Sequence, residues 1–529
     1  MSVLTTLDHG FAGLLFAYAL AVLGVLAGLR LRGTSLAAFK ARLPLIAALA
    51  LAGGVLLSTA LRESNFLHLA NAPPWARECL GVALVIFLGV LLGLRATLPN
   101  PELIVHRGSR LADGHDYVSA RAADTRAVTF AGQLVAPSDE TKHFKVLGTT
   151  GTGKSTAIRE LLRGALARGD RAVIADPDGG YARTFYDPAR GDAILNPFDS
   201  RAHRWDLMTE IIQLHDADQL ARSIIPDYEG TDRNWRHYAR TFLTAVLRQL
   251  HRIEAHDIAQ LYHLLVLAPP SELRELIGTT PAGSFLGESD KGQEGNRFFE
   301  SVRSVTSVHA AALEHIARQQ TGAPLSVRRW IREGRGVLFF PYRASEIDAL
   351  RNIVSTWMRL AIFETLNAEE GDQRLWFLVD ELDALGAIDG LKDALARLRK
   401  FGGRCVLGFQ SVAQVRGTYG DAEAQTIVEN CGNTLILRCS ASERGGTAEF
   451  ASRLIGQREI IRAQMSESRP ARRGGRAHAT RTVTHQFVTE SAVLASEIEQ
   501  LADLSGFLKV ASQPEWRRVN LEVTAAPSN

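Results

Sequence analysis

Residues 143–168 constrain the fold of this chain more than any other stretch. A short apolar run, HFKVL, leads directly into Gly148, Thr149, Thr150, Gly151, Thr152, Gly153, Lys154, Ser155 and Thr156. Helix-forming residues continue to 168, and Gly169 stands where a helix would be capped. The next run, RAVIAD at 171–176, reads as a second buried strand. Strand, glycine loop, helix and strand in that order form a βαβ unit around a phosphate-binding loop. Glycines let backbone amides curl around a phosphate, and the helix N-terminus adds its dipole. Lys154 is placed to neutralise the β and γ oxygens of a nucleotide, and the Ser155 hydroxyl to ligate magnesium.

A loop of this kind needs an acidic partner at the end of another buried strand. The run WFLVDE at 376–381 supplies one, far away in sequence. Asp380 is expected to hold the magnesium shell, and Glu381 to orient and deprotonate an attacking water. Gln410 ends a further apolar run, RCVLGFQ, where a side-chain amide can meet a γ-phosphate or that water. Arg399, just before this run, is a candidate arginine finger for a neighbouring subunit, with Arg397 and Arg404 as competitors.

Further strand-like runs at 336–342, 433–438 and 507–511 alternate with helical segments. That alternation predicts an α/β domain with a mainly parallel sheet covered on both faces. Residues 206–322 break the pattern, reading almost wholly as helix. The expected organisation is a nucleotide-binding domain of 99–205 and 323–529, interrupted by an all-α domain of 206–322. Sixty basic residues against 57 acidic leave a formal charge of +3, too little for binding nucleic acid through bulk charge, so any such surface must be local. The four cysteines show neither Cys-x-x-Cys pairs nor zinc spacing, which predicts reduced thiols and no structural metal.

Residues 1–98 differ from the rest. Stretches 11–29, 43–61 and 79–94 carry no charge, and the first two are long enough to cross a bilayer as helices, the third slightly short. No Lys or Arg precedes the first stretch and no small-residue cleavage site follows, which disfavours a signal peptide. Arg30, Arg32, Lys40 and Arg42 stand between the first two stretches without an acid, whereas Arg62 and Arg77 are balanced by Glu63 and Glu78 between the second and third. The positive-inside rule therefore predicts a membrane anchor of about three transmembrane helices, with everything after Arg95 cytoplasmic.

The ordered blocks GTTGTGKS, RAVIADPDGG, ILNPFDSRAHRWD, WFLVDELDAL, LRKFGGRCVLGFQS and LADLSGFLKV, behind membrane spans and around a helical insert, resemble the type IV secretion coupling proteins of conjugation, the TrwB/TraD group. That resemblance implies a RecA-like P-loop ATPase using ATP and Mg2+, anchored in the bacterial inner membrane and assembled as a homo-hexamer. It also implies that relaxase-bound single-stranded DNA is recruited and passed to a type IV secretion channel. The family's nucleotide residues map onto Lys154, Ser155, Asp380, Glu381, Arg399 and Gln410. Relatives commonly have two spans where three are read here. A double-stranded DNA translocase of the FtsK type and a channel receptor or scaffold without motor activity are the alternatives. One local basic candidate for DNA is the arginine-rich stretch 462–481, with Arg462, Arg469, Arg472, Arg473, Arg476 and Arg481 against Glu467, read as a loop around Gly474 and Gly475.

The topology has a direct test. A reporter fused after His68 is expected to register the periplasm and one after Ala37 the cytoplasm; the reverse pattern would remove one of the three spans.

Overall fold

The computed structural model describes residues 104–113, 128–226, 232–286, 292–371, 373–441, 446–468 and 480–523. The three apolar stretches of the amino-terminal region lie outside the described residues. Among the described residues, no helix is long and apolar enough to cross a membrane. The chain forms two compact units, Val105–Glu459 with Phe487–Asn529, and Met1–Ile104 with Ile460–Gln486. The arginine-rich stretch departs from its reading as a loop: strands Gln457–Ser468 and Thr480–Ser491 take up both its ends, and 469–479 lie outside the described residues.

Within the larger unit, ten strands make one sheet. In chain order they are β1 (Leu111–Asp113), β2 (Phe144–Leu147), β3 (Arg171–Pro177), β4 (Ala193–Ile194), β5 (Val337–Tyr342), β6 (Leu375–Val379), β7 (Gly403–Phe409), β8 (Asn433–Ile436), β9 (Ser505–Lys509) and β10 (Trp516–Asn520). Their spatial order is β1-β10-β9-β8-β2-β7-β6-β3-β5-β4. From β8 to β4 every neighbouring pair is parallel, while β9 runs antiparallel to both β8 and β10. Strands β1, β4 and β10 were not legible as apolar runs; β1 and β4 are only three and two residues long.

The long apolar runs are explained by burial on both faces. In β6, Trp376 and Leu378 join Val146, Ile174 and Val406 beneath the helix α1 (Lys154–Ala167), which contributes Ile158, Leu161 and Leu162. The alternate residues Leu375, Phe377 and Val379 join Val173, Phe340 and Leu407 on the opposite face. A period of two in the strand thus feeds two separate cores.

Helix α2 (Gly180–Phe185) follows β3, and α3 (Leu214–Ile224), α4 (Arg233–Arg252), α5 (Pro270–Ile277) and α6 (Gly292–Ala317) follow β4. Between Trp205 and Pro324 the described residues contain helices and no strand. The segment leaves and re-enters through a two-stranded parallel pairing, Arg204–Trp205 with Pro324–Leu325. It shares a continuous core with the sheet, since Phe242 and Phe299 belong to the same apolar cluster as Phe377. Helix α7 (Ile347–Leu366) is the joint: Trp357 packs edge-on against Trp205 at 5.7 Å, and Thr356 donates to the Ser223 carbonyl of α3 at 2.9 Å.

The amino ends of the central strands are pinned by buried charge. Glu140, fully buried, accepts both guanidinium arms of Arg168 at 2.8 and 2.9 Å and Nε of buried Arg404 at 2.8 Å. Arg168 also pairs with Asp170, which accepts the indole N–H of Trp376 at 2.9 Å. Glu140, Asp170 and Arg404 are buried, with Arg168 partly exposed beside them, so loss of Glu140 strands the buried Arg404 guanidinium. Glu140→Ala is expected to destabilise the fold by about 3–5 kcal/mol, read as a lowered urea midpoint with unchanged slope.

Candidate active site

The loop 148–153 leaves β2 at the carboxyl edge of the sheet. Gly151 and Gly153 hold φ values of +79° and +114°, a region that side chains oppose, and at Gly153 a Cβ would also press on Leu521 and Leu504 at 2.8 and 2.9 Å. The loop is anchored from outside: Gly148 N–H donates to Phe409 at the end of β7, Thr149 N–H to the Arg438 carbonyl, and the Thr152 carbonyl accepts from Leu504 N–H at 3.0 Å. Lys154 opens α1 and folds back, its Nζ donating to the Gly148 and Thr149 carbonyls at 2.8 and 3.3 Å. Burial lowers the pKa of this lysine, against the opposing pull of Asp380 and Glu381.

Asp380 follows β6, two strands away from β2. Its Oδ2 accepts the Ser155 hydroxyl at 2.5 Å and the Tyr181 hydroxyl at 2.9 Å. Its Oδ1 is buried and has no hydrogen-bond partner among the described residues. Glu381, next in line, accepts from the side-chain amide of Gln410, and the Gln410 oxygen accepts from the Thr150 hydroxyl at 3.3 Å. Burial raises the Glu381 carboxyl, as does the neighbouring Asp383.

These groups line one cleft of about 420 Å³, together with Thr156, Arg159, Asp178 and Leu504. Of the residues predicted from the loop and the strand ends, Thr150, Gly151, Gly153, Lys154, Ser155, Thr156, Asp380, Glu381 and Gln410 line this cleft, while Gly148, Thr149 and Thr152 stand behind it. Arg399 is not among them. It lies in the turn before β7, while Gln410 follows β7, so the two stand at opposite ends of a seven-residue strand, about 23 Å apart by strand rise. Arg399 cannot reach the cleft of its own subunit. Arg397 shares that exposed edge, and Arg404 is committed to Glu140.

Three residues went unread in the sequence. Asp176 is the next-to-last residue of β3 and its two carboxylate oxygens accept the N–H groups of Tyr181 and Ala182 at 2.8 and 2.7 Å, tying down the start of α2. Burial pushes Asp176 up to about 6. Tyr181 reaches Asp380, and Arg159 of α1 lies 5.3 Å from its ring centroid. An acid ending a hydrophobic strand was the available signal for Asp176; nothing local marks Tyr181 or Arg159.

The donor set suits a magnesium ion that arrives with a nucleotide. Among the described residues no group of three or more His, Cys, Asp or Glu could hold a metal by itself. One hydroxyl, one carboxylate with an unsatisfied buried oxygen and a neighbouring lysine are what a phosphate-bound ion requires, since magnesium keeps waters and phosphate oxygens as its remaining ligands.

Comparison with known proteins agrees with this geometry. The sequence profile of the type IV secretion-system coupling protein DNA-binding domain matches residues 127–522. The coupling protein TraD of Escherichia coli K12 is 29% identical over 398 residues, covering 73% of this chain and 53% of TraD. A conjugal transfer protein TraG of Escherichia coli is 22% identical over 310 residues, 53% of this chain and 47% of TraG. The chain thus spans about half the length of these relatives. Among solved structures, unbound bacterial conjugative coupling protein TrwB superposes with a TM-score of 0.70 at 30% identity, covering 80% of this chain and 96% of TrwB. TrwB in complex with ADP and Mg2+ gives 0.69 at the same identity and coverage. The fold, the carboxyl-edge cleft and the matched span 127–522 lead to one conclusion: the chain belongs to the coupling proteins of type IV secretion systems.

Proposed function

We propose that this protein is an ATP-driven coupling protein that moves DNA toward a type IV secretion channel during conjugation. The observation that carries the proposal is the 2.5 Å contact between Ser155 of the glycine loop and Asp380 at the end of β6, made across an intervening strand beside Lys154. A phosphate-binding loop joined to a strand-end carboxylate is a site for a nucleoside triphosphate with its magnesium. TrwB has been solved with ADP and Mg2+ and with the non-hydrolysable ATP analogue ADPNP, which supports ATP as the nucleotide here.

In this reading the amides of Gly151 to Ser155 cradle the phosphates, and Lys154 leaves its carbonyl contacts to neutralise β and γ oxygens. Ser155 and Asp380 hold the magnesium, which supplies charge neutralisation for the transferred phosphoryl group. Glu381, whose proton affinity is raised by burial and by Asp383, takes the proton of the attacking water. Gln410, bonded to Glu381, positions that water. Its amide links the cleft to the Thr150 loop, so the pair is shaped to sense whether a γ-phosphate is present.

The finer assignments rest on the sequence and on the family. The apolar stretches in 1–98 support anchoring in the bacterial inner membrane with the ATPase cytoplasmic. A relaxase bound to single-stranded DNA is the proposed substrate, and secretion-channel components are the receiving partners. The position of Arg399 supports a ring such as a homo-hexamer: it is exposed at the sheet edge opposite its own cleft, so only a neighbouring subunit can offer it a nucleotide.

Lys154→Ala is expected to abolish ATP hydrolysis and DNA transfer while leaving the urea midpoint unchanged; wild-type turnover by the purified variant would refute the site. Glu381→Gln is expected to retain ATP binding and lose about 10²- to 10⁴-fold in turnover, and loss of binding itself would contradict its role as base.

If Arg399 serves a neighbour, mixed rings give a further test. Arg399→Ala and Lys154→Ala subunits are each inactive, and combining them restores a fraction of activity that follows the mixing ratio. Subunit exchange is first demonstrated by fluorescence transfer. Absence of rescue after exchange would remove Arg399 from the catalytic set.

A further inference from the structure

We infer that Tyr181 is a positioning residue for the metal, holding the Asp380 carboxylate so that one chosen oxygen is left for the ion's coordination shell. This rests on the nucleotide reading above and extends it to a residue carried by α2, outside both the glycine loop and β6.

The geometry is specific. Asp380 is 5% exposed, and its Oδ2 receives two hydroxyl donors, Ser155 at 2.5 Å and Tyr181 at 2.9 Å. Its Oδ1 receives none and is shut off from solvent. A buried carboxylate oxygen without a partner is costly, and a buried site tolerates one where a ligand completes it. With Oδ2 filled by two donors, rotation of the carboxylate would break both bonds, so Oδ1 is the oxygen offered to the ion or to one of its waters. Ser155 can donate its proton to Oδ2 while its lone pairs face the metal.

Tyr181 is itself immobilised. It is 1% exposed, its backbone N–H is held by Asp176 at 2.8 Å, and the Arg159 guanidinium lies 5.3 Å from its ring centroid. Its hydroxyl donates to Asp380 Oδ2 at 2.9 Å from this fixed position. The arrangement resembles the outer-shell contacts that orient metal ligands generally, whose removal weakens the metal without touching it.

The test uses the full chain, with Mn2+ as the probe ion and ADP as the nucleotide, and reads bound manganese by electron paramagnetic resonance. Tyr181→Phe keeps the ring and deletes the donor. The expected result is Mn2+ affinity of the ADP complex weakened about five- to tenfold, with ADP affinity in chelator and the urea midpoint unchanged. In the Asp380→Asn background the same substitution is expected to change Mn2+ affinity little further. Wild-type Mn2+ affinity in Tyr181→Phe, or a full additional loss in the double variant, would overturn the assignment. A parallel fall in metal-free ADP affinity and in the urea midpoint would also overturn it, by making Tyr181 a packing residue only. If the wild-type chain binds no Mn2+ with ADP, the nucleotide reading itself fails, an outcome separable from failure of Tyr181 alone.

Discussion

Everything at the carboxyl edge depends on one crossing of backbone over backbone. The phosphate loop follows β2 and the acids follow β6, and β7 runs between them in the sheet. Two strand spacings are about 10 Å, more than a serine and an aspartate side chain span together. The gap is closed from both sides: the glycine loop carries Ser155 beyond the end of β2 onto α1, and the Asp380 backbone comes close over Gly408, where an added Cβ would lie 1.9 Å from the Asp380 carbonyl oxygen. Glycine at that position lets Asp380 come over the neighbouring strand and meet Ser155. Any side chain there would push the carboxylate out of line with the loop, whatever the residues of the site itself.

The two edges of the sheet have opposite electrostatic designs. At the amino edge Glu140, Arg168, Asp170 and Arg404 form a buried network with the Trp376 indole, each charge matched by hydrogen bonds. A network satisfied in this way is rigid and specifies strand position rather than adding net stability. At the carboxyl edge the charges are gathered and incompletely matched: Asp380 retains an unpartnered oxygen, Asp176 and Glu381 are raised by burial, and Lys154 is lowered. Such imbalance is stabilised by a charged ligand, and the rigid opposite edge keeps the strands in register while it waits. Helix α7, packed on the sheet and on α3 at once, makes the helical segment part of the same body.

Much of this was legible because the signals are local. Residues 154–168 carry a helix pattern and Gly169 a cap, and the helix runs Lys154–Ala167 with Gly169 at φ +90°. The apolar runs ending at Leu147, Asp176, Asp380 and Gln410 became the central parallel strands, since a strand buried on both faces cannot hide its composition. The short strands β1 and β4 were silent because two or three residues carry no period. Strands Gln457–Ser468 and Thr480–Ser491 were masked by arginines and glycines that read as loop.

The residue types at the strand ends therefore determined by themselves that the chain builds a phosphate loop and an acid pair, because that chemistry requires particular side chains at fixed local spacing. Tertiary structure alone decided which of them meet. Sheet order sets Lys154 and Glu381 in one cleft and sends Arg399 to the far edge, although Arg399 is closer to Gln410 in sequence than either of the others. It also brought in Tyr181 and Arg159, and Gly408 as the opening through which Asp380 passes. These roles depend on contacts between different strands and helices, Tyr181 with Asp380, Arg159 with Tyr181 and Gly408 with Asp380, and no local pattern encodes a distance across a sheet.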